Sequence, residues 1–116
     1  MKKTESLKKN EDFRRAYNKG TSKGNKYLVM YVIRNDMSIN RFGISVSKKV
    51  GNSVVRHHLT RLLRESYRLH ENMFSSGLDI AVVVKTSASE CSYHEIESAL
   101  LHLAKLHNIL VHDKTD

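Results

Sequence analysis

Residues 78–85, Leu-Asp-Ile-Ala-Val-Val-Val-Lys, read as a buried strand, and this run most limits what the chain can fold into. A strand apolar on both faces has to be covered, so it calls for neighbouring strands and for helices with an apolar stripe. Such helices are legible on either side of it. Residues 53–73 carry Val55, Leu59, Leu62, Leu69 and Met73 at helical spacing, after Gly51-Asn52-Ser53, where Asn52 or Ser53 can cap. Ser92 with Glu95 makes a capping box, and Ile96, Ala99, Leu100, Leu103 and Leu110 form an apolar stripe down the last helix.

The N-terminal part supplies the remaining elements. Asn10 can cap a helix whose first turn carries Glu11 and Asp12 near the positive end of the dipole, with Gly20 as its stop. Phe13, Ala16 and Tyr17 then share one face. Residues 26–34, Lys-Tyr-Leu-Val-Met-Tyr-Val-Ile-Arg, read as a strand, and the turn chemistry of Asn35-Asp36 leads to a second near 40–47, expected as its antiparallel neighbour. In the second strand Phe42, Ile44 and Val46 alternate with Gly43, Ser45 and Ser47, which puts one face on the core and one toward solvent or ligand. The expected fold is an α+β two-layer sandwich with a mixed sheet of about four strands, in the order helix-strand-strand-strand-helix-strand-helix. It forms one domain over residues 1–116, with flexible ends at 1–6 and 111–116.

Hydrophobic residues make up 40% and charged residues 28% of the chain, which excludes a disordered protein, and no run is long enough to span a membrane. The basic start has no apolar stretch after it, so a secretory signal would lack its central element, and the expected location is the cytoplasm. The single cysteine, Cys91, excludes an internal disulfide and a cysteine-built zinc site, and is assigned to packing. The net charge of +8 is segregated: residues 1–70 hold 17 Lys and Arg against 5 Asp and Glu, a surplus of 12, whereas residues 71–116 hold 3 against 7, a deficit of 4. Concentrated positive charge attracts a polyanion and gains free energy from counterion release, so nucleic acid is the leading partner.

The charge concentrates in Lys48-Lys49-Val50-Gly51-Asn52-Ser53-Val54-Val55-Arg56-His57-His58-Leu59-Thr60-Arg61-Leu62-Leu63-Arg64-Glu65-Ser66-Tyr67-Arg68. At about 100° per residue His57, Thr60, Arg61, Arg64 and Arg68 fall within about one third of the helix circumference, opposite the apolar stripe. Arg56 lies to the side of this ridge, near Leu63 and Tyr67. A basic face is often only a solvated one, but solvated helices tend to alternate signs, and here Glu65 is the main carboxylate. Arginine dominates, and its planar guanidinium binds phosphate bidentately and stacks on bases, which suits folded RNA.

The run from Val46 to Arg56, followed by Arg61-Leu62-Leu63-Arg64-Glu65, resembles the signature of the bacterial ribonuclease P protein family. Leu7-Lys8-Lys9-Asn10-Glu11-Asp12-Phe13 and the aromatic strand reaching Tyr31 match as well, so the likeness covers nearly the whole chain. The resemblance implies a sheet flanked by helices with an unusual left-handed crossover through the basic helix, where the general rule is right-handed. It implies that Lys48, Lys49, Asn52, Arg56, His57, His58, Arg61, Arg64 and Arg68 bind the catalytic RNA. It also implies that a cleft between the first helix and the sheet, with Phe13, Tyr17, Tyr31, Ser45 and Ser47, holds the 5′ leader of precursor tRNA. The activity implied is removal of that leader, with the catalytic groups and the required Mg2+ in the RNA subunit, no protein-bound cofactor and no further protein partner. This chain departs from the family pattern at Arg56-His57-His58, where the family has Arg-Asn-Arg, and at Thr60, where it has lysine. A neutral imidazole offers one donor and no full charge, so these contacts become conditional on pH.

Other chemistry is not supported. His57 and His58 are adjacent and point to different sides of a helix, and no paired-histidine metalloprotease pattern occurs. No nucleophile elbow or phosphate-cradling glycine loop is present, so no residue is nominated for catalysis. A ribosomal or chaperone-type RNA-binding protein would share the charge asymmetry and the small α+β fold. A DNA-binding module is disfavoured because no suitable helix-turn-helix pair precedes the basic helix.

Overall fold

The computed structural model describes residues 4–111, which form a five-stranded mixed sheet and three α-helices. The elements are β1 (Thr4–Ser6), α1 (Asn10–Lys19), β2 (Thr21–Gly24), β3 (Leu28–Arg34), β4 (Asn40–Ser45), α2 (Ser53–His70), β5 (Leu78–Val84) and α3 (Tyr93–Leu106). Sheet order is β1-β4-β5-β3-β2. The α+β sandwich is present as this sheet packed by α2 and α3, whose side chains share its main core, while α1 lies across the opposite face over a smaller cluster.

Strand pairing differs from the expected arrangement. β3 and β4 are not neighbours: β5 lies between them, antiparallel to β3 and parallel to β4. The most continuously apolar run takes the centre, where both its faces and both its edges are covered. β4 and β5 are thus joined through α2, the connection to which the implied left-handed crossover refers. Thr4–Ser6 fall in the end expected to be loose, yet they form a fifth strand paired in parallel with Asn40–Phe42. At the other end, the Val111 amide donates to the Met73 carbonyl at 2.6 Å. The rest of the expected flexible ends, residues 1–3 and 112–116, lies outside the described residues.

Local signals hold with corrections at element ends. Asn52 caps α2, its side chain accepting from the Val55 amide at 3.0 Å, and Ser92 with Glu95 forms the reciprocal box at α3. Asn10 does not cap α1; it is the first helical residue, after Lys9, and no side-chain cap bond forms. Gly20 ends that helix through close approach: a Cβ there would lie 2.5 Å from the Ala16 carbonyl and 2.9 Å from that of Val32. The buried side of α2 runs through Leu59, Leu63, Ser66 and Tyr67, so the expected stripe is rotated, and Leu69 is 55% exposed. Met73 lies in a short 3-10 turn past the helix, and Leu110 lies past α3 in a bridge with Phe74. Tyr67 anchors α2 by stacking on Phe42 with centroids 4.3 Å apart, while its hydroxyl bonds Thr4 and Asn40. Cys91 is buried, and burial pushes its thiol pKa up.

Candidate RNA interface

Two surfaces meet at β4. The first is the exposed side of α2 with the turn before it. Lys48 and Lys49 are exposed in that turn, which is closed by the Val50 amide donating to the Ser47 carbonyl. His57, His58, Arg61, Arg64 and Arg68 are all exposed along the helix, as the spacing predicts. Their freedom differs. Arg61 and Arg64 make no ion pair among the described residues. Arg68 is held by Glu65 one turn earlier through two nitrogens, an exchange that lowers the carboxyl pKa and raises that of the guanidinium. Thr60 turns inward, its hydroxyl donating to the Arg56 carbonyl at 2.9 Å.

Arg56, at the side of the ridge, is half-buried, and its Nε has no hydrogen-bond partner among the described residues. It lines a hollow between the end of β4 and the first turns of α2, with Ile44, Val46, Ser53, His57 and Thr60. A desolvated donor next to an open hollow favours an incoming acceptor. Asn52 is engaged as the helix cap, so its carboxamide oxygen is already used.

The second surface is a cleft between α1 and the sheet, lined by Asn10, Phe13, Arg14, Tyr17, Ile44 and Ser45. Alternation along β4 turns Ser45 and Gly43 to this side, away from Phe42 in the main core. Phe13 is seated against the sheet: a Cβ on Gly43 would lie 2.5 Å from its ring, so glycine makes room for it. Tyr17 is the more exposed aromatic, at 37%, and meets Tyr31 of β3 edge-on with centroids 4.8 Å apart. Phe13, Tyr17 and Ser45 therefore line the cleft together, whereas Tyr31 is not among its lining residues and is joined to it only through its contact with Tyr17. Ser47 does not line the cleft; it lies beyond the strand in the turn before α2.

The sequence reading missed Arg14 and Asn10 as cleft residues. Their spacing carries the signal, because 10, 13, 14 and 17 fall on one helical face. Ile44 borders both the cleft and the Arg56 hollow, so the two surfaces are contiguous. No helix among the described residues is long and apolar enough to cross a membrane.

The family model Ribonuclease P matches residues 1–107. The chain belongs to the ribonuclease P protein family. It is 57% identical over 113 residues to the ribonuclease P protein component of Lachnoclostridium phytofermentans, covering 97% of each chain. Among solved structures, the Staphylococcus aureus RNase P protein superposes with a TM-score of 0.84 at 36% identity, over 90% of this chain and 95% of that one. The Thermotoga maritima RNase P protein does so with a TM-score of 0.81 at 30% identity, over 88% and 96%. The chain is therefore a protein component of an enzyme complex, and membership of this family implies partnership with ribonuclease P RNA.

Proposed function

We propose that the chain binds the catalytic RNA of ribonuclease P through the α2 ridge and the 5′ leader of precursor tRNA through the α1 cleft, promoting endonucleolytic removal of the leader in the cytoplasm. The observation that carries the reading is the contiguity of a ridge with two unpaired arginines, Arg61 and Arg64, and an aromatic cleft, each suited to a different RNA. Arg61 and Arg64 present guanidinium groups free of carboxylates, able to bridge phosphates of a folded RNA. Tyr17, the exposed aromatic of the cleft, offers a ring on which a base can stack without its sequence being read, at about 1–3 kcal/mol per base, which suits a subunit that accepts many leaders.

Hydrolysis is assigned to the RNA subunit and its Mg2+, and the protein lowers repulsion between two polyanions. Reconstitution tests this reading. Adding the protein to its cognate ribonuclease P RNA at low Mg2+ should switch on site-specific cleavage of precursor tRNA, more strongly for long leaders than short ones. General RNA binding with no gain in cleavage would leave a ribosomal or chaperone-type role, and effective competition by duplex DNA would favour a DNA-binding one.

A further inference from the structure

A groove for single-stranded RNA combines faces on which bases stack with cations that follow the phosphates. The α1 cleft has Phe13 and Tyr17 in its lining, with Tyr31 against Tyr17, and α1 carries two adjacent arginines that meet different fates. Arg15 reaches beneath the helix, its Nη1 3.8 Å from the buried Asp79 carboxylate and its Nη2 donating to the Arg34 carbonyl at 3.1 Å. It is committed to the fold. Arg14 is exposed, borders the cleft beside Phe13, Tyr17 and Ser45, and makes no hydrogen bond or ion pair with any described residue. The nearby acids do not neutralise it. Asp12 is held by Arg41 at 3.3 Å, and Glu11, one turn earlier, forms no ion pair with it.

We propose that Arg14 binds a phosphodiester of the leader while an adjoining base stacks on Tyr17. This inference rests on the reading of the cleft as the leader site and adds the cation that the site requires. A guanidinium grips two phosphate oxygens at once and is indifferent to the base, so Arg14 makes binding sensitive to leader length rather than leader sequence. Its neighbour in the chain cannot substitute, because moving Arg15 outward would strip a partner from Asp79.

The test uses holoenzyme reconstituted from the protein and its RNA subunit, with one precursor tRNA carrying a long leader and another carrying a single leader nucleotide. Arg14→Gln keeps a helix-forming residue at an exposed position, so the fold is retained. It should weaken binding of the long-leader precursor by about tenfold, leave the short-leader precursor unchanged, and make the plot of log affinity against log salt shallower by about 0.7. Lys19→Gln, at the far end of the helix and outside the cleft, should change neither precursor. Unchanged affinity in Arg14→Gln, or an equal loss on both precursors, overturns the assignment. Tyr17→Ala separates this from the underlying reading. If Tyr17→Ala abolishes the leader-length effect while Arg14→Gln does not, only the Arg14 assignment falls; if neither variant touches it, the cleft reading falls too.

Discussion

Asp79 lies opposite Arg41 in the β4–β5 pairing, and its fully buried carboxylate accepts from the Arg41 Nε at 2.8 Å and Nη2 at 2.6 Å. The remaining nitrogen of the same guanidinium donates to Asp12 on α1 at 3.3 Å, and Asn35 donates to Asp79 at 3.0 Å. The hydrogen bond to Asp79 is the main reason that the Arg41 pKa is raised. One buried carboxylate thus joins two strands to the helix that walls the cleft.

Removing one partner leaves the other charge desolvated, a larger effect than losing the pair as a unit. Arg41→Met should destabilise the fold by about 3 kcal/mol, the low end of the range for broken buried pairs, because Asn35 and Arg15 still face Asp79. Urea denaturation measures this. The double variant Arg41→Met, Asp79→Leu should lose less than the sum of the two single losses. Strict additivity would mean that the two groups act independently.

On the ridge, each phosphate contact contributes about 0.7–0.9 to the salt dependence of RNA affinity. Arg61→Ala with Arg64→Ala should flatten that dependence by up to about twice this amount, and an unchanged slope would make the ridge a solvated face. Glu65→Gln should act in the opposite sense, because it releases Arg68 from its carboxylate. Filter-binding titrations over a salt series against the cognate RNA distinguish the two directions.

The elements and the surfaces that carry them are legible in the residue pattern because each rests on local spacing: the β-branched runs, the Ser92–Glu95 box, the arginines one turn apart on α2. Long-range choices are not. That β5 separates β3 from β4 depends on which strand gains most from being covered on every side, a comparison over the whole chain. An aspartate within an apolar run advertises a buried charge, but its partner stands 38 residues earlier on another strand. Tyr67 falls beside arginines in the helical projection, and its place in the core follows only from the ring of Phe42 and the polar pair Thr4 and Asn40 that receive it. Strand β1 is too short and polar to announce itself without the edge of β4 to pair with.

His107 should make the fold sensitive to mild acid. It is half-buried, its Nε2–H donating to the Met30 carbonyl at 2.9 Å. Burial pulls its pKa below the ordinary value, the Met30 bond opposes this, and Lys23 adds to the lowering. A depressed pKa means that the unfolded chain takes up protons first, at about 6.5, so the contribution is complete above that pH and is lost as pH falls through the folded value. Urea midpoints should therefore drop between pH 7 and pH 5, and His107→Gln should reduce that drop. An identical drop in the variant would assign the acid sensitivity elsewhere.

Gly43→Ala probes how tightly α1 is laid on the sheet. The added methyl would lie 2.5 Å from the Phe13 ring, 2.8 Å from the Leu7 Cβ and 3.0 Å from the Leu7 carbonyl. Such overpacking costs about 1–3 kcal/mol, and relief requires both the Phe13 ring and the Leu7 segment to move away from the sheet. The melting temperature should fall and the leader-length effect weaken, with binding of the RNA subunit unchanged. Adding Phe13→Leu should recover part of the stability, since the ring is the nearest obstacle.

His57 and His58 stand exposed on the α2 ridge proposed to bind RNA, at positions where the resemblance implies asparagine and arginine. A guanidinium carries a permanent charge and grips two phosphate oxygens at once, which an imidazole does not. His58→Arg should therefore tighten binding of the cognate RNA and steepen the dependence of log affinity on log salt by about 0.7–0.9, the amount expected of one added phosphate contact. Fluorescence anisotropy over a salt series reads both quantities, and an unchanged slope would show that this position faces no phosphate in the complex.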